Sequence, residues 1–127
     1  MSQVRIVVKS LDKFTEKLVQ RLSLNVTANL IEDTPVDTGW ARSNWVPSIG
    51  KPRSKTAGTR AAAENGSIDN APQSNGTLAL LNYKLGPSVF ISNNVPYIHR
   101  LNSGSSRQAP SAFVQNAILR AVRQSTK

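Results

Sequence analysis

The stretch Thr34-Pro-Val-Asp-Thr-Gly-Trp-Ala-Arg-Ser-Asn-Trp45 separates a long helical pattern from an alternating, strand-like run. Thr34 precedes Pro35 and is pushed out of the α region, so a helix stops there. Asp37 can accept hydrogen bonds from backbone N–H groups about two residues on, which would close an Asx-type turn. Gly39 supplies a position where a positive φ costs little. Pro35, Asp37 and Gly39 are therefore expected to hold a structural corner. Trp40 and Trp45 follow, with Arg42 between them, as an aromatic plug.

Upstream, Leu11, Phe14, Leu18, Leu22, Val26 and Leu30 recur at helical spacing, with Lys13, Glu16, Lys17, Gln20 and Arg21 on the other side. Ser10 reads as the N-cap and Asp12 as a first-turn anion, so a helix is expected over about Leu11–Glu32, its apolar stripe in the core. Val4, Ile6 and Val8 form a short β-type run before it. Downstream, Ala41–Ile49 reads as a strand carrying one tryptophan on each face, with Pro47 marking an edge or the point of departure from the sheet. The domain is expected to bury one indole and a neighbouring subunit the other.

Residues 50–75 are rich in Gly, Pro, Ser, Asn and Ala, with Ile68 as the one large aliphatic. Such a composition predicts a long flexible loop over 51–75, in which Thr59–Glu64 makes a helical turn. Thr77 then caps a short helix, Leu78–Tyr83, ended by Gly86-Pro87. Val89–Ser92 reads as a buried strand, and Asn93-Asn-Val-Pro96 as a turn into a helical segment with Tyr97, Ile98 and Leu101 on one side. Ser103–Ser106 is a connector. Pro110 opens the last helix, whose apolar side holds Phe113, Ala117, Leu119 or Ile118, Ala121 and Val122. The expected fold is a single α+β domain over 1–127. Its small, mainly antiparallel sheet (Val4–Val8, Ala41–Ile49, Val89–Ser92) packs against the long N-terminal helix and the C-terminal helix.

Composition narrows the chemistry. The chain has 127 residues and no cysteine, which removes disulfides, thiolate metal sites and cysteine nucleophiles. His99 is the one histidine and reads as a surface or interface residue. Glu32, Asp33 and Asp37 lack the alternation of a calcium loop and read as helix-end and turn residues. No phosphate-binding or nucleophile-elbow motif occurs. Neither a membrane-spanning run nor a secretory leader is legible, so the expectation is a cytoplasmic protein, not an enzyme, with no cofactor and no membrane partner. The net charge of +9 is uneven: from Asn70 to Lys127 there are six bases and no acid. Such a surface suits a negative partner: nucleic acid, an acidic protein ring or anionic lipid.

Thr34–Gly39, with Arg42 and Asn44-Trp45, resembles the "PVDTG" signature of the tail-completion or minor tail (neck) proteins of long-tailed bacteriophages, the lambda Z-like group. Ile91-Ser-Asn-Asn-Val-Pro-Tyr-Ile-His-Arg-Leu101 resembles that family's "NNxPYxxxL" segment, and Gln108-Ala-Pro110 matches before the terminal helix. The resemblance implies a hexameric neck ring that completes the tail and joins it to the DNA-filled head. Partners would be further copies, other neck proteins, the tail terminator or tail tube and head-completion proteins. It implies a virion location, reached by assembly in the host cytoplasm, and non-specific contact with DNA in the channel. Candidate interface residues are Trp40, Arg42, Trp45, Lys51, Arg53, Lys55, Arg60, Tyr97, Arg100 and Arg107. The alternative from charge alone is a small basic nucleic-acid-binding protein; against it, the bases are scattered and no recognition motif is visible.

Overall fold

One helix of 32 residues, α1 (Ser2–Asp33), dominates the fold. The computed structural model describes residues 2–36, 38–104 and 111–126, with side chains from Leu11 onward. After α1 come α2 (Trp40–Ser43), β1 (Val46–Ile49), α3 (Arg60–Glu64), α4 (Ala71–Leu81), β2 (Val89–Ser92), α5 (Ile98–Asn102) and α6 (Phe113–Ser125). The fold is α+β, with α1 packed on α6 and a two-stranded antiparallel sheet. Val4–Val8 is not the expected strand, nor is Ser10 an N-cap; both lie inside α1. Adding a residue to an existing helix gains a hydrogen bond without a new nucleation cost, which outweighs the weak strand preference of isolated valines.

Where α1 ends, its carbonyls need partners. Leu30 O receives both the backbone N–H and the hydroxyl of Thr34, and Arg42 Nη2 donates to Glu32 O at 3.2 Å and to Thr34 O at 3.1 Å. A guanidinium here also suits the negative end of the helix dipole. The Thr34 hydroxyl in turn accepts Trp45 Nε1–H at 2.7 Å. Replacing the fully buried Thr34 with the similarly shaped valine leaves that indole N–H unpaired. We expect a loss of about 2 kcal/mol in urea denaturation, against less than ~0.5 for an exposed threonine such as Thr15.

Gly39 takes φ 86° and turns the chain directly into α2. The expected strand from Ala41 is thus a helical turn through Ser43, and strand geometry begins only at Val46. Both tryptophans end up inside the chain, at 7% and 6% exposure, so neither is left for a neighbouring subunit. Asp37 lies outside the described residues.

The stretch after β1 is fastened down rather than looped out. Asn44 clasps the peptide of Ala57: its Oδ1 accepts the Ala57 N–H at 2.6 Å, and its Nδ2 donates to Ala57 O at 3.1 Å and to Trp40 O at 2.7 Å. Trp40 Nε1 donates to the same Ala57 O at 3.1 Å. The helical turn expected over Thr59–Glu64 is α3, with Thr59 as its N-cap, and Ala63 enters the core with Ile68 packed beside it. Excising 51–75 would therefore open the core instead of trimming a loop. The next helix starts at Ala71, earlier than Thr77, with Pro72 in its first turn, where a missing N–H costs nothing. Thr77 instead donates its hydroxyl to Gln73 O inside α4.

α4 rests against β1 through Gly76, whose missing Cβ would stand 2.2 Å from Pro47 O. Gln73 Nε2 donates to Arg42 O at 3.0 Å and Trp45 O at 3.1 Å, tying α4 to the corner. β1 pairs with β2 in the register Val46↔Ser92 to Ile49↔Val89, and β2 is half-buried rather than fully buried. Asn93 then donates to Ala41 O at 2.9 Å. Ile98 of α5 is buried, with Tyr97 and Leu101 half-buried beside it.

α6 runs antiparallel to α1: Asn25 Nδ2 donates to Ser125 Oγ at 2.9 Å, while Asp33 meets Arg120 at the other end. Ala117, Ala121 and Ser125, four apart on one side of α6, are all buried, and their small size lets the helices approach closely. Asn29 Nδ2 uses that closeness to reach Ala117 O at 3.2 Å and Gln124 Oε1 at 3.0 Å. Phe113 closes the core beneath them.

Candidate assembly surface

The stripe on α1 is only half covered. Val26 and Leu30 are buried and Leu22 packs on the core, but Leu11 is 60% and Phe14 67% exposed. Length explains the difference: at 1.5 Å per residue α1 extends ~48 Å and α6, with 13 residues, only ~20 Å. Since Ser125 meets Asn25, α6 runs out there, and the first part of α1 projects past it as an arm. The turn after α4 supports one flank of this arm. Gln20 Nε2 donates to Leu81 O and Tyr83 O, and Leu85 N–H donates to Glu16 Oε2 at 3.0 Å. On α6 the expected apolar side splits: Phe113, Ala117 and Ala121 face inward, whereas Ile118, Leu119 and Val122 are exposed. Leu78, Leu81 and Leu85 make a third exposed apolar group, around the end of α4. Exposed apolar groups of this kind are candidate contact surfaces.

The candidate interface residues fall into two sets. Trp40, Trp45 and Arg42 take internal roles, holding Ala57, Thr34 and the end of α1. The Nε of Arg42 is buried with no hydrogen-bond partner among the described residues. Lys51, Arg53, Lys55 and Arg60 lie on the strip after β1, which is joined to the turn before α5. Asn94 Nδ2 donates to Arg53 O at 2.8 Å and Lys55 O at 3.3 Å, and the Arg60 guanidinium stands 5.9 Å from the centre of the Tyr97 ring. Tyr97 in turn tilts against Trp40, ring centres 6.1 Å apart. His99 and Arg100 are exposed on the adjoining helix α5. One edge of the molecule thus gathers bases from two distant parts of the chain, tempered by the Arg60–Glu64 pair at 3.1 Å. Arg107 lies outside the described residues, as does Pro110 with the Gln108-Ala109 that precedes it. Pro35, at the corner, is half-buried.

Arg120 forms a two-pronged pair with Asp33, at 2.9 and 3.1 Å. That hydrogen bonding raises the Arg120 pKa above the ordinary arginine value; burial opposes it, and the charges of Asp33 and Glu32 add to it. A raised arginine pKa gives stabilisation that is complete below the unfolded value and lost only as pH rises through the folded one, far above neutrality. Both partners are partly exposed, so solvent screens the pair, and it serves chiefly to fix the α1–α6 register. Asp33 is thereby occupied, and among the described residues no group of three or more His, Asp or Glu is placed to hold a metal ion. Among the described residues no helix is long and apolar enough to cross a membrane. Comparison of the chain with models of protein families, with curated proteins and with solved structures finds no match.

Proposed function

We propose that this chain is a structural subunit of a bacteriophage neck or tail, which assembles with further copies into a ring and helps join the tail to the DNA-filled head. The observation that carries the reading is the uncovered apolar surface on the arm of α1 and on the outside of α6, with a further exposed group around the end of α4. Apolar surface of this kind is stable when another protein covers it. The likeness of Thr34–Trp45 and Ile91–Leu101 to neck-protein segments gives the assembly its context. The role needs no cofactor, and its partners are copies of the chain, neighbouring neck proteins, and the tail and head-completion proteins at its two ends. The basic edge around Lys51, Lys55 and Arg100 suits an acidic protein neighbour or the phosphates of DNA in the channel, contacted without reading sequence.

Disrupting the gene in the phage that encodes it tests the role directly, by electron microscopy of the particles. Full heads beside unattached tails are expected. Normal, joined, infectious virions would overturn the reading.

A further inference from the structure

We infer that the arm of α1 from one copy seats on the outer face of α6 of the next, so that Leu11, Phe14 and Leu18 cover Ile118, Leu119 and Val122 of a second copy. The inference rests on the reading of this chain as self-assembling, and names the surfaces through which copies meet.

Helical geometry sets up the contact. At 3.6 residues per turn, Leu11, Phe14 and Leu18 fall within about 80° of arc, and the same arc holds Leu22, Asn25 and Asn29. Asn25 and Asn29 are bonded to α6 of their own chain. The arm therefore continues an α6-binding surface past the point where α6 stops. On α6, Ile118 and Val122 are one turn apart and flank the Ala117–Ala121 row that faces α1, with Leu119 beside them.

The choice of a second copy's α6 over a second arm follows from symmetry. Arm against arm is an isologous contact, which closes at two copies. Arm against α6 joins two different patches of the same chain, and a heterologous contact is what propagates around a ring. Each patch offers on the order of a few hundred Å² of apolar surface, below the ~800 Å² per partner of a standard stable complex. A single contact should therefore be weak, of roughly micromolar Kd, and ring closure would add the rest.

Sedimentation velocity of the full chain and two double variants tests this. The arm variant carries Leu11→Glu and Phe14→Glu; the α6 variant carries Ile118→Glu and Val122→Glu. All four positions are exposed, so unchanged circular dichroism is expected; Leu11→Ser with Phe14→Ser serves as the arm variant if the glutamates lower the melting temperature. The wild-type chain should form species larger than a dimer as concentration rises, and each variant alone should weaken association at least ~100-fold. Mixed in equal amounts, the variants should form a one-to-one heterodimer and nothing larger, because one retains its α6 face and the other its arm. A wild-type chain monomeric up to roughly 100 µM overturns the contact. So does a variant that assembles like wild type, a mixture that stays monomeric, or an α6 variant that still dimerises through its arms. These outcomes are separate from the particle phenotype: unattached heads and tails on gene disruption, together with unimpaired assembly of either variant, would leave the neck role standing and remove this contact alone.

Discussion

Replacing Gly76 with alanine is expected to destabilise the protein by about 3 kcal/mol, although alanine is the better helix former by ~1 kcal/mol. The added Cβ would lie 2.2 Å from Pro47 O and 2.9 Å from Pro47 Cδ, well inside contact distance. One of those atoms is backbone and the other belongs to a rigid ring, so neither swings aside as a flexible side-chain end would. α4 must move away from β1. Moving it stretches the Gln73 bonds to Arg42 O and Trp45 O and loosens Leu80, which is fully buried on the same helix. The steric term exceeds the propensity gain, and the sign is a loss. Ser74→Ala, one turn-face away and exposed, is the control and should change stability by less than ~0.5 kcal/mol. Chemical denaturation of both variants checks the pair. A Gly76→Ala protein as stable as wild type would mean that α4 and β1 are not in the close contact described.

Asn44→Ala should cost a similar amount, about 3 kcal/mol, by a different route. The substitution deletes the acceptor of the Ala57 N–H, on a residue only 1% exposed, where water has no access to replace it. An orphaned buried donor costs ~1–3 kcal/mol, and the hole left by the amide adds to that. Ala57 O keeps its bond from Trp40 Nε1, so the clasp is halved rather than abolished. Asn44→Asp should be no better. It keeps an acceptor for the N–H, but it turns carboxylate oxygens toward Trp40 O and Ala57 O, which the amide now supplies with hydrogens. Hydrogen exchange gives the local readout: the Ala57 amide should be protected in the wild type and exchange far faster in the alanine variant. Equal protection in both proteins would show that Asn44 does not hold this strip.

What the sequence reveals of this fold follows from which forces are periodic. The α1 stripe from Leu11 to Leu30 repeats, and α1 is there, though extended back to Ser2. Val89–Ser92 is bounded by turn residues and is a strand as expected. The alternation read from Ala41 misleads because Gly39 takes a left-handed φ and restarts the chain as a helical turn, an event that side-chain alternation does not record. The strip after β1 looks structureless because, Ile68 apart, its few apolar residues are small. It is held by side chains from elsewhere, Asn44 and Trp40 on the Ala57 peptide and Asn94 on the carbonyls of Arg53 and Lys55, and such bonds leave no periodic mark. α4 is obscured by Pro72 and Gly76, the one placed where it costs nothing and the other required by the close approach to Pro47.

The candidate surface is legible to a different degree. An apolar stripe on α1 is plain in the sequence, but a stripe does not say how much of itself is covered. That depends on the length of α6 and on the register set by Asn25–Ser125 and Asp33–Arg120, contacts between residues about a hundred positions apart. The tryptophans, the most conspicuous residues of the corner, prove to be structural. The exposed Leu11 and Phe14 had passed for core.

The seating of α4 on β1 also limits how this protein can go wrong. An open strand edge is a template: its unpaired N–H and C=O groups accept a strand from any chain, and ordered aggregates grow that way. On the α4 side of β1 that template is blocked, since Pro47 has no N–H to offer and the helix lies against its carbonyl at Gly76. Copies meeting at this side have no backbone ladder to extend. Whatever association occurs there depends on side chains, and is set residue by residue rather than by a strand that any passing chain can match.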